Sequence, residues 1–116
     1  MHRKTFMKEN SDSVFSQMKK GVLEMMVLAL LNAKEDYPAG LIERMEKSGM
    51  PMVEGTIYPL LARLKNAGYL SYRWEESNAG PPRKYFRITP EGKKYLNELS
   101  HAWDELQTIT QHILKK

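Results

Sequence analysis

Thr56-Ile57-Tyr58-Pro59-Leu60-Leu61-Ala62-Arg63-Leu64-Lys65-Asn66-Ala67-Gly68 is the stretch on which the fold turns. Ile57, Leu60, Leu61 and Leu64 fall at i, i+3, i+4 and i+7, which is one stripe of a helix spanning residues 56–67. Pro59 has no N–H to donate, so this reading puts it in the first turn and the helix start near Glu54–Thr56. Gly68 ends the helix. The front opposite the stripe carries Tyr58, Ala62, Arg63, Lys65 and Asn66, which is polar and basic. Immediately upstream, residues 39–47 form a shorter helix with Leu41, Ile42 and Met45 on its apolar side, stopped by Ser48-Gly49-Met50-Pro51. Two short helices joined by a brief turn, the second apolar behind and basic in front, describe a helix-turn-helix.

Beyond Gly68 the period changes from helical to alternating. Leu70, Tyr72 and Trp74 interleave with Ser71, Arg73 and Glu75, the pattern of a half-buried strand. Ser77-Asn78-Ala79-Gly80-Pro81-Pro82 reads as a turn, because proline cannot extend a central strand. Residues 83–88 return, with Phe86 and Ile88 inward and Arg83, Tyr85 and Arg87 on the other side. The hairpin is a wing with a basic shoulder. Thr89 then caps a last helix and Pro90 occupies its first position. That helix runs on for roughly 26 residues, a length near 39 Å at the α-helical rise. Leu96, Leu99, Trp103, Leu106, Thr110 and Ile113 are spaced 3-4-3-4-3 along it, as in a coiled-coil seam. So small a domain cannot cover such a seam, so a second copy of the chain is expected there. Upstream of the helix-turn-helix, a helix over residues 13–33 contains the apolar run Gly21–Ala33, interrupted only by Glu24 and Asn32. It is apolar nearly all round, which also suits burial in a homodimer.

The expected fold is therefore mainly α with a small β component (α+β): a winged helix-turn-helix with an N-terminal helix and a long C-terminal dimerisation helix. Its expected divisions are a polar arm at 1–12, the DNA-binding unit at 13–89 and the dimerisation helix at 90–116. A chain of 116 residues has room for one core, and its 41% hydrophobic content is that of a globular protein. The net charge of +4 and pI near 9.3 suit a nucleic-acid partner without requiring one. With no cysteine there is no disulfide or thiolate metal site, as fits a cytoplasmic protein. The first residues are charged with no apolar segment close behind, unlike a secretory signal. The apolar run at 21–33 is too short to span a bilayer, which needs about 20 residues.

Enzyme chemistry finds no support. Histidine occurs only at His2, His101 and His112, and the last two, on one helix, stand about 16 Å apart, too far to share a metal ion. Gly-rich phosphate loops, a nucleophile elbow and paired catalytic carboxylates are missing from the sequence. No cofactor or metal is expected.

The residues left to carry function are those facing outward from the helix-turn-helix and wing. Thr56 and Tyr58 sit where side chains reach base edges in double-stranded DNA, although capping and packing would use them as well. Arg63 and Lys65 suit phosphates, while Glu54 and Gly55 bring the helix N-terminus near a phosphate. Arg83 and Lys84 follow a turn stiffened by two prolines, so little ordering entropy remains to be lost when they bind. Tyr85 belongs to the same surface. Lys19 and Lys20 could reach the backbone equally well or stay solvated. A winged helix used only for protein contacts is the competing reading; exposed apolar residues on the wing would favour it.

Gly55-Thr56-Ile57-Tyr58-Pro59-Leu60-Leu61-Ala62-Arg63-Leu64, followed by Gly68-Tyr69-Leu70, Trp74 and Gly80-Pro81-Pro82-Arg83-Lys84-Tyr85-Phe86-Arg87-Ile88-Thr89-Pro90-Glu91-Gly92, resembles the PadR family of regulators. The resemblance covers about residues 15–105, with Phe86 replacing a frequent tyrosine. The single C-terminal helix is similar to the small, LmrR-like subgroup. The resemblance implies a two-fold homodimer whose C-terminal helices pack on the partner's first helix. It also implies a repressor acting on a palindromic operator and released by ligand. In that subgroup a tryptophan matching Trp103 sandwiches planar aromatic compounds with its two-fold mate. Met18, Val22, Met25 and Ala29 form a stripe that would face Trp103, Leu99 and Leu106 across such a pocket. The plainer alternative is that these residues only pack a dimer core.

Overall fold

The computed structural model describes residues 8–115, with side chains from Val14 onward. Its elements are α1 (Lys8–Lys19), α2 (Leu23–Ala33), α3 (Pro38–Lys47), α4 (Glu54–Asn66), β1 (Leu70–Ser77), β2 (Gly80–Ile88) and α5 (Pro90–Leu114). The architecture is the expected one: helices, a single antiparallel hairpin and a long final helix.

Packing starts from the stripe of α4. Ile57, Leu60, Leu61 and Leu64 are buried, and they meet Leu23, Val27, Leu28 and Leu31 of α2 with Leu41 and Met45 of α3 in one cluster. Each such side chain is worth about 1.5–3 kcal/mol when withdrawn from water. Leu70 and Phe86 at the base of the hairpin complete the cluster. Tyr95, Leu96 and Leu99 in the first half of α5 pack on its edge. Every residue from Ser100 to Lys115 is exposed, so α5 leaves its own domain for about 24 Å at the helical rise. The 16.3 Å radius of gyration records this projection; a compact chain of this length would have about 13 Å.

Several local expectations change. The helix foreseen over 13–33 is two helices, broken by a turn at Lys20–Val22. Gly21 costs about 1 kcal/mol in a helix interior, and the segment passes there from polar to apolar, so the two halves need different orientations. α1 begins at Lys8 and so takes in Lys8–Asp12 of the arm expected at 1–12; residues 1–7 lie outside the described residues. Pro59 is the sixth residue of α4 and not in its first turn. Gly55 thereby loses its i+4 donor, which an exposed helix front tolerates because water can take its place.

The hairpin turn is narrower than foreseen. Ser77 pairs with Gly80, leaving Asn78 and Ala79 as the loop. Pro81 and Pro82 lie within β2 at an irregularity where the register slips between Glu75 and Ser77. In a two-stranded sheet both strands are edges, so a proline need not break a ladder hydrogen bond. Trp74, expected to be half-buried, is 61% exposed because the distal half of the hairpin extends past the helices.

Candidate nucleic-acid interface

Polar tethers centred on Asp36, Arg44 and Thr89 decide which face of α4 and the hairpin is presented. Between α2 and α3, Asp36 is buried and forms a bridge to the wing: its N–H donates to the Phe86 carbonyl at 3.1 Å and its carbonyl accepts from Phe86 N–H at 2.8 Å. Its carboxylate accepts from Tyr37 N–H at 2.8 Å and from Arg44 Nη1 at 3.0 Å. Arg44 also donates to the carbonyl of Leu30 at 2.6 Å, which accepts the Lys34 N–H at 3.1 Å as well, so the guanidinium is held at the end of α2. The hairpin base is thus fixed to both helices. At the other end, Thr89 caps α5 by accepting from Gly92 N–H at 3.0 Å, as its sequence position suggested, and donates to the Gly68 carbonyl at 2.7 Å.

With the elements fixed in this way, the front of α4 and one face of the hairpin enclose an open groove of about 660 Å³. Tyr58, Ala62 and Lys65 line it from α4, Trp74 and Lys84 from the strands, and Tyr37 from the start of α3. Lys84 is held over Tyr72 and Trp74, its Nζ 4.4 Å and 5.4 Å from the ring centroids. Lys65 Nζ lies 5.6 Å from the same Tyr72 ring, so α4 and the wing bring their ammonium groups to one aromatic side chain. At the edge of the same groove the Arg83 guanidinium sits 4.4 Å from the Tyr37 ring, and Tyr37 packs against Tyr85 at 5.2 Å. Cation–π contacts of this kind orient a charge without neutralising it.

The cations fall into two groups. Arg63 is paired with Glu24 of α2 at 3.2 Å, on the opposite flank of α4 from Lys65, and Glu24 also accepts from the Tyr95 hydroxyl at 3.0 Å. Arg73 is bound by Glu75 and Glu35, and its hydrogen bond to Glu75 raises its pKa further. Among the described residues no carboxylate pairs with Lys65, Arg83 or Lys84. Those three carry charges that no ion pair among the described residues offsets.

The remaining foreseen residues are distributed as follows. Thr56 and Tyr58 are exposed near the start of α4; the cap position is held by Val53, so Thr56 does not cap the helix. Met18 is 73% exposed, Trp103 is 40% exposed, and Leu106 and Ala29 are also open. Val22, Met25 and Leu99 are half-buried within the protomer. Tyr37, Tyr72 and Trp74 escaped the sequence reading as site residues. The signal was there in Trp74, which alternates with charged residues, but its cross-strand partner Lys84 needs the register. Among the described residues no group of histidine, aspartate or glutamate could hold a metal ion, and no helix is long and apolar enough to cross a membrane.

Residues 27–98, the span of this helix-turn-helix, wing and first part of α5, match the PadR-like family of transcriptional regulators. The chain belongs to that family. A PadR-like transcription factor from Bacteroides fragilis is similar at 46% identity, covering 87% of this chain and 98% of that one, with a TM-score of 0.74. A PadR family transcriptional regulator from Eggerthella lenta is 30% identical, covers 93% and 95% of the two chains and superposes with a TM-score of 0.87. An uncharacterised protein from Lysinibacillus sphaericus is 30% identical over 99 residues, 83% of this chain and 91% of that one. The PadR-like assignment makes this chain one of a family of transcriptional regulators and not of enzymes.

Proposed function

We propose that this PadR-like protein is a cytoplasmic, homodimeric repressor that binds a palindromic operator in double-stranded DNA and is released by a small planar aromatic effector. The observation that carries DNA binding is the set of unpaired cations, Lys65, Arg83 and Lys84, which line the groove between α4 and the wing together with Tyr58. α4 would lie in the major groove with Thr56 and Tyr58 at base edges, while the three cations and Tyr85 meet the phosphate backbone. Arg63 joins them only by exchanging Glu24 for a phosphate.

Dimerisation rests on the exposed apolar faces. Leu106, Ile109 and Ile113 stand open on the projecting half of α5, and Val14 and Met18 stand open on α1. Water contact on so many large apolar side chains is removed most simply by a two-fold copy laying α5 on α1 and α2. The effector reading places Trp103 at that seam, with Met18, Val22, Met25 and Ala29 opposite and Leu99 and Leu106 beside it.

A second reading, the wing as a protein-docking surface, gains from the exposed Trp74. The unpaired Lys84, with its Nζ 5.4 Å from that ring, favours DNA. Selection of random duplex DNA by the purified protein at near-physiological salt tests the two. Enrichment of a two-fold symmetric motif supports the operator reading, and no enrichment by a folded dimer overturns it.

A further inference from the structure

The Glu24 carboxylate of α2 stands between α4 and α5 and is divided between them. Its Oε2 accepts from Arg63 Nε of α4 at 3.2 Å, and its Oε1 accepts from the Tyr95 hydroxyl of α5 at 3.0 Å. The partners lie 39 and 71 residues away in sequence, so only the fold assembles the contact. The Tyr95 ring is stacked on Tyr69, with centroids 4.2 Å apart and planes within 15° of parallel. The Tyr69 carbonyl in turn accepts from Thr89 N–H, at the junction that ties the end of α4 to the start of α5. The phenol is therefore aimed, and Glu24 is held from behind. The Glu24 side chain is 27% exposed, whereas that of Arg63 is 61% exposed. A carboxylate so placed does not follow the guanidinium into solvent, but the guanidinium can leave the carboxylate.

We propose that Glu24 is a positioning residue for DNA affinity: an internal stand-in for phosphate that holds Arg63 away from the duplex, with Tyr95 setting the strength of that hold. This rests on the proposed DNA-binding role. Carboxylate and phosphate oxygens offer a guanidinium the same kind of charge-assisted hydrogen bond, so the two compete for Arg63. When Arg63 moves to a phosphate, Glu24 keeps its Tyr95 donor, and that bond lowers the cost of release. Removing the donor leaves the freed carboxylate to water alone and raises the cost. A rearrangement of α5 that withdraws Tyr95 therefore weakens DNA binding without touching a residue at the DNA surface. By reciprocity, DNA at Arg63 acts back on the α5 contact by the same factor.

The test uses the full chain and a fluorescein-labelled random-sequence duplex, titrated by anisotropy at several salt concentrations. Glu24→Gln keeps an oxygen for the Tyr95 hydroxyl and loses the charge. It is expected to bind about two- to fivefold tighter, the scale of an exposed ion pair, with a salt slope steeper by up to about one unit. Tyr95→Phe is expected to bind about twofold more weakly, the low end for a hydrogen bond, and Glu24→Gln/Tyr95→Phe to match Glu24→Gln alone. In an Arg63→Ala background, Glu24→Gln is expected to change nothing. Circular dichroism of each variant should match the parent, because all three side chains lie outside the buried cluster. Tightening that persists in Arg63→Ala is a long-range charge effect and overturns the role of Glu24, as does unchanged or weaker binding by folded Glu24→Gln. Tyr95→Phe that binds as the parent does, or that still weakens binding once the Glu24 charge is gone, overturns the role of Tyr95. A readout without DNA separates the contact from the reading it rests on. Burial, and then Glu24, already raise the Tyr95 phenol pKa. Arg63→Ala should raise it further in a carbon-NMR titration of the tyrosine rings, because Glu24 then keeps its whole charge. No rise overturns the shared carboxylate. No duplex binding by any variant, with that rise present, overturns the DNA reading and the competition built on it, and leaves the three-residue contact standing.

Discussion

Arg44 lies against the buried carboxylate of Asp36, with Nη1 3.0 Å from Oδ2. The two residues are eight positions apart, yet the pair joins three elements: the end of α2 through the Leu30 carbonyl, α3 through Arg44 itself and the wing through the Asp36–Phe86 bridge. Removing either partner leaves a charge in a poorly solvated position. The Arg44→Met variant should therefore lower unfolding free energy by about 3 kcal/mol in urea titration. Asp36→Asn should cost less, because the amide keeps the Tyr37 hydrogen bond. A loss under 1 kcal/mol in Arg44→Met, on the scale of an exposed pair, would contradict this account.

Three glycines predict opposite signs for the same substitution. A Cβ at Gly40 would run into the Asp36 carboxylate, and one at Gly92 would run into the Tyr69 carbonyl and the Ile88 side chain. At Gly55 nothing lies within 4 Å. Gly92→Ala should cost about 1–3 kcal/mol, since backbone has to move, and Gly40→Ala a similar amount. Gly55→Ala should raise stability by about 0.4–1 kcal/mol through helix propensity and the unfolded chain. Thermal melts of the three variants check the ordering, and a destabilised Gly55→Ala would be the informative failure.

At the DNA surface, Arg83→Ala/Lys84→Ala should weaken binding to every sequence and reduce the slope of log K against log salt by about two units, about one for each phosphate left without its cation. Tyr58→Ala should instead cost about 1–3 kcal/mol on the selected motif and little on random duplex. Arg63→Ala should alter the slope less than Lys65→Ala, because its charge is already matched by Glu24. Anisotropy titrations at several salt concentrations separate these outcomes.

Dimerisation makes its own demand. Leu106→Lys/Ile113→Lys places two charges on the open face of α5 without touching the core, so the domain should keep its helical spectrum while sedimenting as a monomer. Operator affinity should fall with it. A dimer that survives both charges would place the interface elsewhere.

Tyr95 gives a pH dependence. Burial raises its phenol pKa, and the hydrogen bond and charge of Glu24 add to the effect. In the unfolded chain the phenol ionises near pH 10, so the native state holds a proton that the unfolded state releases as pH rises past about 10. The stability this contributes is complete below that value and is lost as pH climbs through the higher native pKa. Urea midpoints measured from about pH 8 to about pH 11 should fall more steeply for the parent than for Tyr95→Phe. Parallel curves would remove Tyr95 from the account.

The sequence revealed whatever depends on local period or capping. The stripe Ile57, Leu60, Leu61, Leu64 became the core face of α4, and Thr89 with Pro90 started α5 as read. What it concealed depends on distant partners. Arg63 belongs to the basic front by spacing alone, yet a carboxylate 39 residues upstream holds it. Trp74 alternates like a buried strand residue, but no helix reaches the distal hairpin to cover it. Gly21 splits a helix that hydropathy alone would continue. Tyr37 precedes Pro38 in what reads as a plain helix break, and only the fold brings the Arg83 guanidinium over its ring.

The junction of α4 with α5 fixes how a dimer would measure DNA. Gly68 and Tyr69, which close α4, are bonded to Thr89, and Tyr69 is pressed by Gly92 within the first turn of α5. No slack remains there, so the two helices act as the arms of one bracket. In any two-fold assembly built on α5, the crossing angle of the paired α5 helices therefore fixes the separation of the two α4 helices. A few degrees at that crossing, magnified along the arm, become ångströms at the DNA. The half-site interval is then an angle stored in the dimer seam, and a repacking of that seam would retune it while leaving every DNA-contacting side chain unchanged.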